Sequence, residues 1–161
     1  MRISIMKRSR ISSTQNLCID IGSGYNPAKG FKTADITEFP NLDYIIKNNK
    51  IYSKTSELKV NSVDKFRLRN VVHHIKDLNQ LLVNLFKYLK PNGTIEIIDC
   101  NKKHYSANVC LDNLWYRYVI PRKEIFIADA YRDYAKLAKT IGFNVLKQNT
   151  INEKEITILQ K

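Results

Sequence analysis

Short apolar runs broken by turn residues fill the first half of the chain, and helical periodicity is confined to two later stretches. Leu17, Ile19 and Ile21 form an apolar run too short for a helix and stopped by Gly22, which predicts a buried strand over residues 17–21. Lys32-Thr33-Ala34-Asp35-Ile36 is a second candidate strand, and Leu42 to Ile46, behind Pro40-Asn41, is a third. Residues 47–61 are polar and poor in pattern and read as loop. Val63 to Arg69 alternates, with Phe66 and Leu68 inward and Lys65, Arg67 and Arg69 outward, as a strand should.

The pattern then changes period. From Asp77 to Leu89, Leu78, Leu81, Leu82, Leu85, Phe86 and Leu89 recur at three and four residues and give one wide apolar helical face. Asp77 is an N-cap candidate with Gln80 at the capping-box spacing, and Lys90-Pro91-Asn92-Gly93 ends the helix. Thr94 to Asp99 follows as a strand carrying Ile95, Ile97 and Ile98. A second helix is predicted from Asp129, as N-cap, to Ile141, closed by Gly142. Phe143 to Lys147 and Glu155 to Gln160 read as strands joined by a polar turn at Asn149 to Glu153. A gap that short permits a hairpin but not a parallel crossover.

This order predicts an α/β fold: a Rossmann-like, mostly parallel sheet with an antiparallel C-terminal hairpin. Only ten residues, Gly22 to Phe31, separate the first two strands. A crossover between parallel strands normally takes a dozen or more, usually helical. The first crossover helix is therefore expected to be short or absent.

At 161 residues the chain has the length of one domain. The expected division is a basic N-terminal arm over residues 1–16, with Arg2, Lys7, Arg8 and Arg10, and a single domain over residues 17–161. No segment has the eighteen or so continuous apolar residues of a membrane helix. Cys18, Cys100 and Cys110 are odd in number and lack metal-ligand spacing, which predicts free thiols in a reducing, cytoplasmic setting and no metal site. The net charge of +12 leaves a nucleic-acid partner open, although Lys, Asn and Ile enrichment throughout the chain is the simpler account of it.

Candidate chemistry concentrates where the first strand ends. Asp20 closes that strand at the edge of an open α/β sheet where ligands bind. Gly22 and Gly24 allow a sharp turn and a close approach of ligand to backbone. Many loops share this D-x-G-x-G pattern, so its meaning depends on the segments after it.

Taken in order, those segments resemble the class I S-adenosylmethionine-dependent methyltransferases, and in particular their small branch of the methyltransferase type 11 kind. That branch reads D-I-G-C-G-x-N-P, then G-W-x-x-x-D. Here stand Asp20-Ile21-Gly22-Ser23-Gly24-Tyr25-Asn26-Pro27 and Gly30-Phe31-Lys32-Thr33-Ala34-Asp35. The F-D-x-V…V-L-E-H segment is matched by Val63-Asp64-Lys65-Phe66 and Val71-Val72-His73-His74, and L-K-P-G-G by Leu89-Lys90-Pro91-Asn92-Gly93. The branch is also short between its first two strands.

The resemblance implies S-adenosyl-L-methionine as cofactor. It implies that Gly22, Ser23, Gly24 and Asn26 wrap its methionine part through backbone groups, and that Asp20 anchors that turn or accepts from the ammonium through water. Asp35 would accept from both ribose hydroxyls, with Ile36 beside it, and Asn70 would line the methionine pocket. Lys47 stands where the family often carries an acid for the adenine amine. Adjacent histidines read most simply as one packed and one solvated; the functional alternative makes His73 or His74 a general base or substrate-orienting group. Tyr105, Trp115, Tyr116, Arg117 and Tyr118 are either lid packing or a substrate wall.

The activity implied is methyl transfer to an O or N nucleophile of a small molecule or glycan. The alternatives are an RNA methyltransferase and a non-transferring S-adenosylmethionine-binding protein or partner subunit, and a homo-oligomer that completes its own acceptor site is left open.

Overall fold

A computed structural model describes residues 16–75, 77–100, 133–151 and 154–161. Expectations for the N-terminal arm, for Tyr105 to Tyr118, for Asp129 and for the side chain of His73 lie outside the described residues.

Eight strands form one sheet in the order β4-β3-β2-β1-β5-β6-β8-β7. They are β1 (Cys18–Ile21), β2 (Lys32–Asp35), β3 (Tyr44–Lys47), β4 (Lys50–Tyr52), β5 (Val63–Arg69), β6 (Leu89–Cys100), β7 (Asn144–Ile151) and β8 (Lys154–Gln160). The five central strands, β3, β2, β1, β5 and β6, run parallel, and β8 and β7 add an antiparallel end. The α/β, mostly parallel architecture is the expected one, with the C-terminal hairpin in place. No helix lies between β1 and β2, so the glycine turn alone makes that connection.

The 47–61 stretch is not only loop. β4 pairs antiparallel with β3, Lys47 opposite Lys50, so a two-residue turn of Asn48 and Asn49 joins them. Both asparagines are left-handed (φ 50° and 60°), the conformation that the tight hairpin turn requires and that Asn tolerates. The sheet is therefore antiparallel at both edges rather than at one.

Register aligns the core. Ile19, Phe66, Ile95 and Leu159 stand side by side across β1, β5, β6 and β8. All are fully buried, in one cluster with Leu78, Leu81, Leu82 and Leu85 of helix α1 (Leu78–Tyr88). Asp77 caps α1 as expected, its carboxylate accepting from Gln80 N at 2.9 Å. The Gln80 amide points along the helix toward Asn84 Oδ1, at 3.4 Å. The buried Asn84 in turn donates to Asn49 O at 2.8 Å and ties the β3–β4 turn to α1.

Helix α2 (Tyr134–Ile141) has Asp133 as its N-cap, the carboxylate accepting from Lys136 N at 3.0 Å, and ends at Gly142 with φ 111°. The described helix starts at Tyr134, and the predicted cap, Asp129, lies outside the described residues. Just past α2, Phe143 packs edge-on against Phe86 of α1 with ring centroids 4.8 Å apart.

On β5 the predicted alternation holds. Phe66 and Leu68 are buried, while Lys65 and Arg67 lie on the other face beside Glu96 of β6, at 3.3 and 3.7 Å. At the opposite end of the sheet, Asp64 accepts from Lys90 Nζ at 2.8 Å and from Leu17 N at 2.8 Å. Partial burial pushes its carboxyl up, but those hydrogen bonds outweigh it and hold the group below the usual carboxylate range.

Candidate functional site

Parallel strands present all their carboxyl ends at one edge of the sheet, and register shows what meets there. Ile21 is level with Ala34 and with Leu68, and Leu68 with Ile97. One step further along lie Gly22, Asp35, Arg69 and Ile98, and beyond them Asn70 and Asp99. Residues widely separated in sequence therefore gather at one rim.

The turn after β1 is fixed from three sides. Gly22 N donates to Ala34 O at 2.7 Å and Asn26 N to Ser23 O at 3.1 Å. The buried Asp20 carboxylate accepts from Ala28 N at 2.8 Å, which bends the chain back over the strand it left. Of the two roles open to Asp20, anchoring the turn is the one this hydrogen bond performs. Gly22 has φ 67° and Gly24 φ 52°, both left-handed. A Cβ on Gly22 would lie 2.3 Å from Val71 Cγ2, so the residue is held to glycine by conformation and by space together.

Asp35 joins the turn to β2. Its carboxylate accepts from Gly24 N at 3.1 Å and from Thr37 N at 3.1 Å. A carboxylate offers about four acceptor positions, so about two remain for a ligand diol. The adjacent Ile36 is 73% exposed, which places an uncovered apolar side chain beside that carboxylate. Tyr25, also exposed, packs on Phe39 with ring centroids 4.6 Å apart.

Asn70 follows β5 with φ 53°, and its N–H donates to Ile98 O at 2.9 Å. A single 3-10 turn, Val72–His74, comes next and carries both histidines at this rim; His74 is half-buried and its N–H donates to Val71 O at 2.9 Å. The structure thus brings Asp20, Gly22, Ser23, Gly24, Asn26, Asp35, Ile36 and Asn70 to one edge.

Two contributors were not evident from the sequence. Val71 packs against Gly22, and the buried carboxylate of Asp99 accepts from Val72 N at 2.9 Å. The only signal for Asp99 was an acid ending an otherwise apolar strand, the same signal that marked Asp20. A groove of about 870 Å3 lies between the 38–43 loop and the β3–β4 hairpin, lined by Phe39, Leu42, Ile45, Lys47, Asn48 and Tyr52 among others.

Among the described residues no group of three or more His, Cys, Asp or Glu side chains is arranged to hold a metal ion. Among them, too, no helix is long and apolar enough to cross a membrane. Cys18 carries a free thiol whose pKa is pushed up by burial and by Asp64.

Comparison with known proteins agrees with this geometry. The fold is shared with solved S-adenosylmethionine-dependent methyltransferases. One from Listeria monocytogenes has a TM-score of 0.60 at 14% identity, covering 91% of this chain and 91% of that one. One from Aquifex aeolicus has a TM-score of 0.57 at 14% identity over 91% and 81%. A chain of the Haloferax volcanii complex between the Trm112 methyltransferase activator and a methyltransferase has a TM-score of 0.61 at 12% identity over 91% and 82%.

Among curated relatives, the demethylmenaquinone methyltransferase of Listeria welshimeri is 28% identical over 80 residues. The match spans half of this chain and about a third (34%) of the relative's length. The model of the ubiE/COQ5 methyltransferase family matches residues 19–153. From the glycine turn to the C-terminal hairpin, the chain belongs to the ubiE/COQ5 methyltransferase family, whose members use S-adenosyl-L-methionine.

Proposed function

We propose that the protein is an S-adenosylmethionine-dependent methyltransferase acting on an O or N nucleophile of a small molecule or glycan, through a single cofactor-binding domain over residues 17–161. The observation that carries this reading is the hydrogen bond from Gly24 N to Asp35, which joins a left-handed glycine turn to a carboxylate with acceptor capacity to spare. The turn Gly22 to Asn26 holds the methionine part of the cofactor. Asp35 accepts from the ribose hydroxyls, Ile36 covers the adenosine, and Asn70 borders the methionine end. Lys47 supplies no acceptor for the adenine amine. The adenine is directed to the neighbouring groove, where the Asn48 carboxamide both donates and accepts.

When bound, S-adenosylmethionine would supply an electrophilic methyl group, which an acceptor lone pair would take as the carbon–sulfur bond breaks with its electrons to sulfur, leaving S-adenosylhomocysteine. The acceptor's proton passes to a base, for which His73 and His74 at the same rim are the candidates. The remaining catalysis is proximity and orientation. The name of the Listeria relatives supports a small-molecule acceptor, and the free Cys18 supports a reducing, cytoplasmic setting.

Isothermal titration with S-adenosylhomocysteine tests the cofactor site. Wild type binds, and Asp35→Ala loses at least tenfold in affinity, about 1.4 kcal/mol. No binding by wild type removes the proposal, and unchanged affinity in Asp35→Ala removes Asp35 from it.

A second reading, methylation of RNA, is favoured by the net charge of +12. It requires retention on RNA that falls steeply with salt, because phosphate contacts release counterions. Retention that is absent or insensitive to salt excludes it. Light scattering tests the homo-oligomer.

A further inference from the structure

We propose that Asp99 is a positioning residue for the methyl donor, acting on the glycine turn through Val72 and Val71. The inference rests on the reading that the cofactor occupies the turn Gly22 to Asn26.

Asp99 lies near the end of β6, two strands away from that turn, and is 1% exposed. A carboxylate taken out of water needs partners, and one of those it has is a backbone N–H. Its Oδ2 accepts from Val72 N at 2.9 Å, a buried bond spanning 27 residues of sequence. Val72 opens the 3-10 turn, and its N–H, lying in the first residues of that turn, has no acceptor within it. A second bond, Asn70 N to Ile98 O at 2.9 Å, pins the chain two residues earlier. Residues 70–72 are thus fastened at both ends to the end of β6, and the left-handed Asn70 lets the chain reverse between the two bonds.

Val71, held between those fastenings, is the residue that meets Gly22. Its Cγ2, Cβ and Cγ1 would all lie within 3.4 Å of a Cβ at position 22. Gly22 is itself bonded to Ala34 O and begins the turn that Asp35 holds at Gly24. An acid on β6 therefore fixes the wall against which the turn at the end of β1 rests. The same bond places the 3-10 turn bearing His73 and His74 relative to that wall. Mere core filling at this position would call for an apolar side chain, whereas a buried carboxylate that accepts from a backbone amide helps determine where that amide lies.

The test uses the full chain, with S-adenosylhomocysteine affinity measured by titration at a temperature well below each variant's melting point. Asp99→Asn keeps an oxygen acceptor for Val72 N–H, and Asp99→Ala removes it. Expected are a loss of tenfold or more for Asp99→Ala and recovery to within about threefold of wild type for Asp99→Asn. A purely structural role lowers the melting temperature of Asp99→Ala but leaves the affinity of the folded protein unchanged, and that result overturns the proposal. Val71→Ala keeps the Asp99 bond and shortens the side chain facing Gly22. It is expected to weaken binding at least threefold, and unchanged affinity overturns the proposal even where Asp99→Ala does not fold. Failure of wild type to bind S-adenosylhomocysteine would instead refute the cofactor reading itself, so the two failures are distinguishable.

Discussion

Gly22→Ala is the sharpest test of how the turn is built. The new methyl would stand 2.3 Å from Val71 Cγ2 and 2.9 Å from Val71 Cβ, on a residue with φ 67°. Left-handed backbone costs a non-glycine residue about 1–2 kcal/mol. Overpacking a tight site adds about 1–3 kcal/mol as neighbours are forced to move. The sum is about 2–5 kcal/mol, which for a domain of this length lowers the melting temperature by roughly 5–15 °C. Gly24→Ala is the internal control. Its φ is 52°, but nothing lies within 4 Å of the added Cβ, so only the backbone cost applies and a drop of roughly 2–6 °C is expected. Scanning calorimetry on both variants, and on Gly22→Ala combined with Val71→Ala, separates the two costs. The double variant should be less destabilised than the sum of its single changes, because removing Val71 Cγ2 relieves the nearest contact. Equal drops for Gly22→Ala and Gly24→Ala, or strict additivity with Val71→Ala, would refute the argument that Val71 backs the turn.

Two further outcomes follow from local geometry and charge. Asn49→Val puts a β-branched residue at φ 60° in the β3–β4 turn and should cost about 1–2 kcal/mol in urea unfolding, whereas Asn49→Gly should cost less. Asp64 is held below the usual carboxylate range, so the stability it contributes is present above pH of about 4 and lost as pH falls through its depressed folded value. The difference in melting temperature between wild type and Asp64→Asn should therefore shrink on acidification. The corresponding difference in stability should stay below about 1 kcal/mol throughout, since the pair with Lys90 is partly exposed, and a pH-independent difference would refute the assignment.

What the sequence made legible was set by how local each cause is. The alternation of Val63 to Arg69 and the leucine spacing of α1 are enforced by burial on one face, so they appear in the residue order itself. The missing crossover helix could be read from a count, because ten residues cannot span two parallel strands through a helix. β4 was not legible: three residues with one buried side chain, Ile51, carry no periodicity. The Asn-Asn turn that creates it is a usable signal set inside a polar stretch. At the site, Gly22, Asp35 and Asn70 were visible as turn and strand-end residues, whereas the partnership of Val71 with Gly22 and of Asp99 with Val72 exists only once the strands are in register.

The bare link between β1 and β2 also has an electrostatic side. In an ordinary crossover of this kind a helix begins right after the first strand, and its N-terminus places about half a positive charge beneath the ligand. That arrangement suits phosphates. Here ten residues of non-helical chain take its place, and the carboxylates of Asp20 and Asp35 hold the turn by accepting from Ala28 N and Gly24 N. Two carboxylates without a helix N-terminus suit a cation better than a phosphate. If the proposed donor binds at this turn, its sulfonium would meet no opposing helix dipole and would lose its charge once the methyl has left. On that proposal, the same geometry that shortens the chain would favour the donor over its spent product.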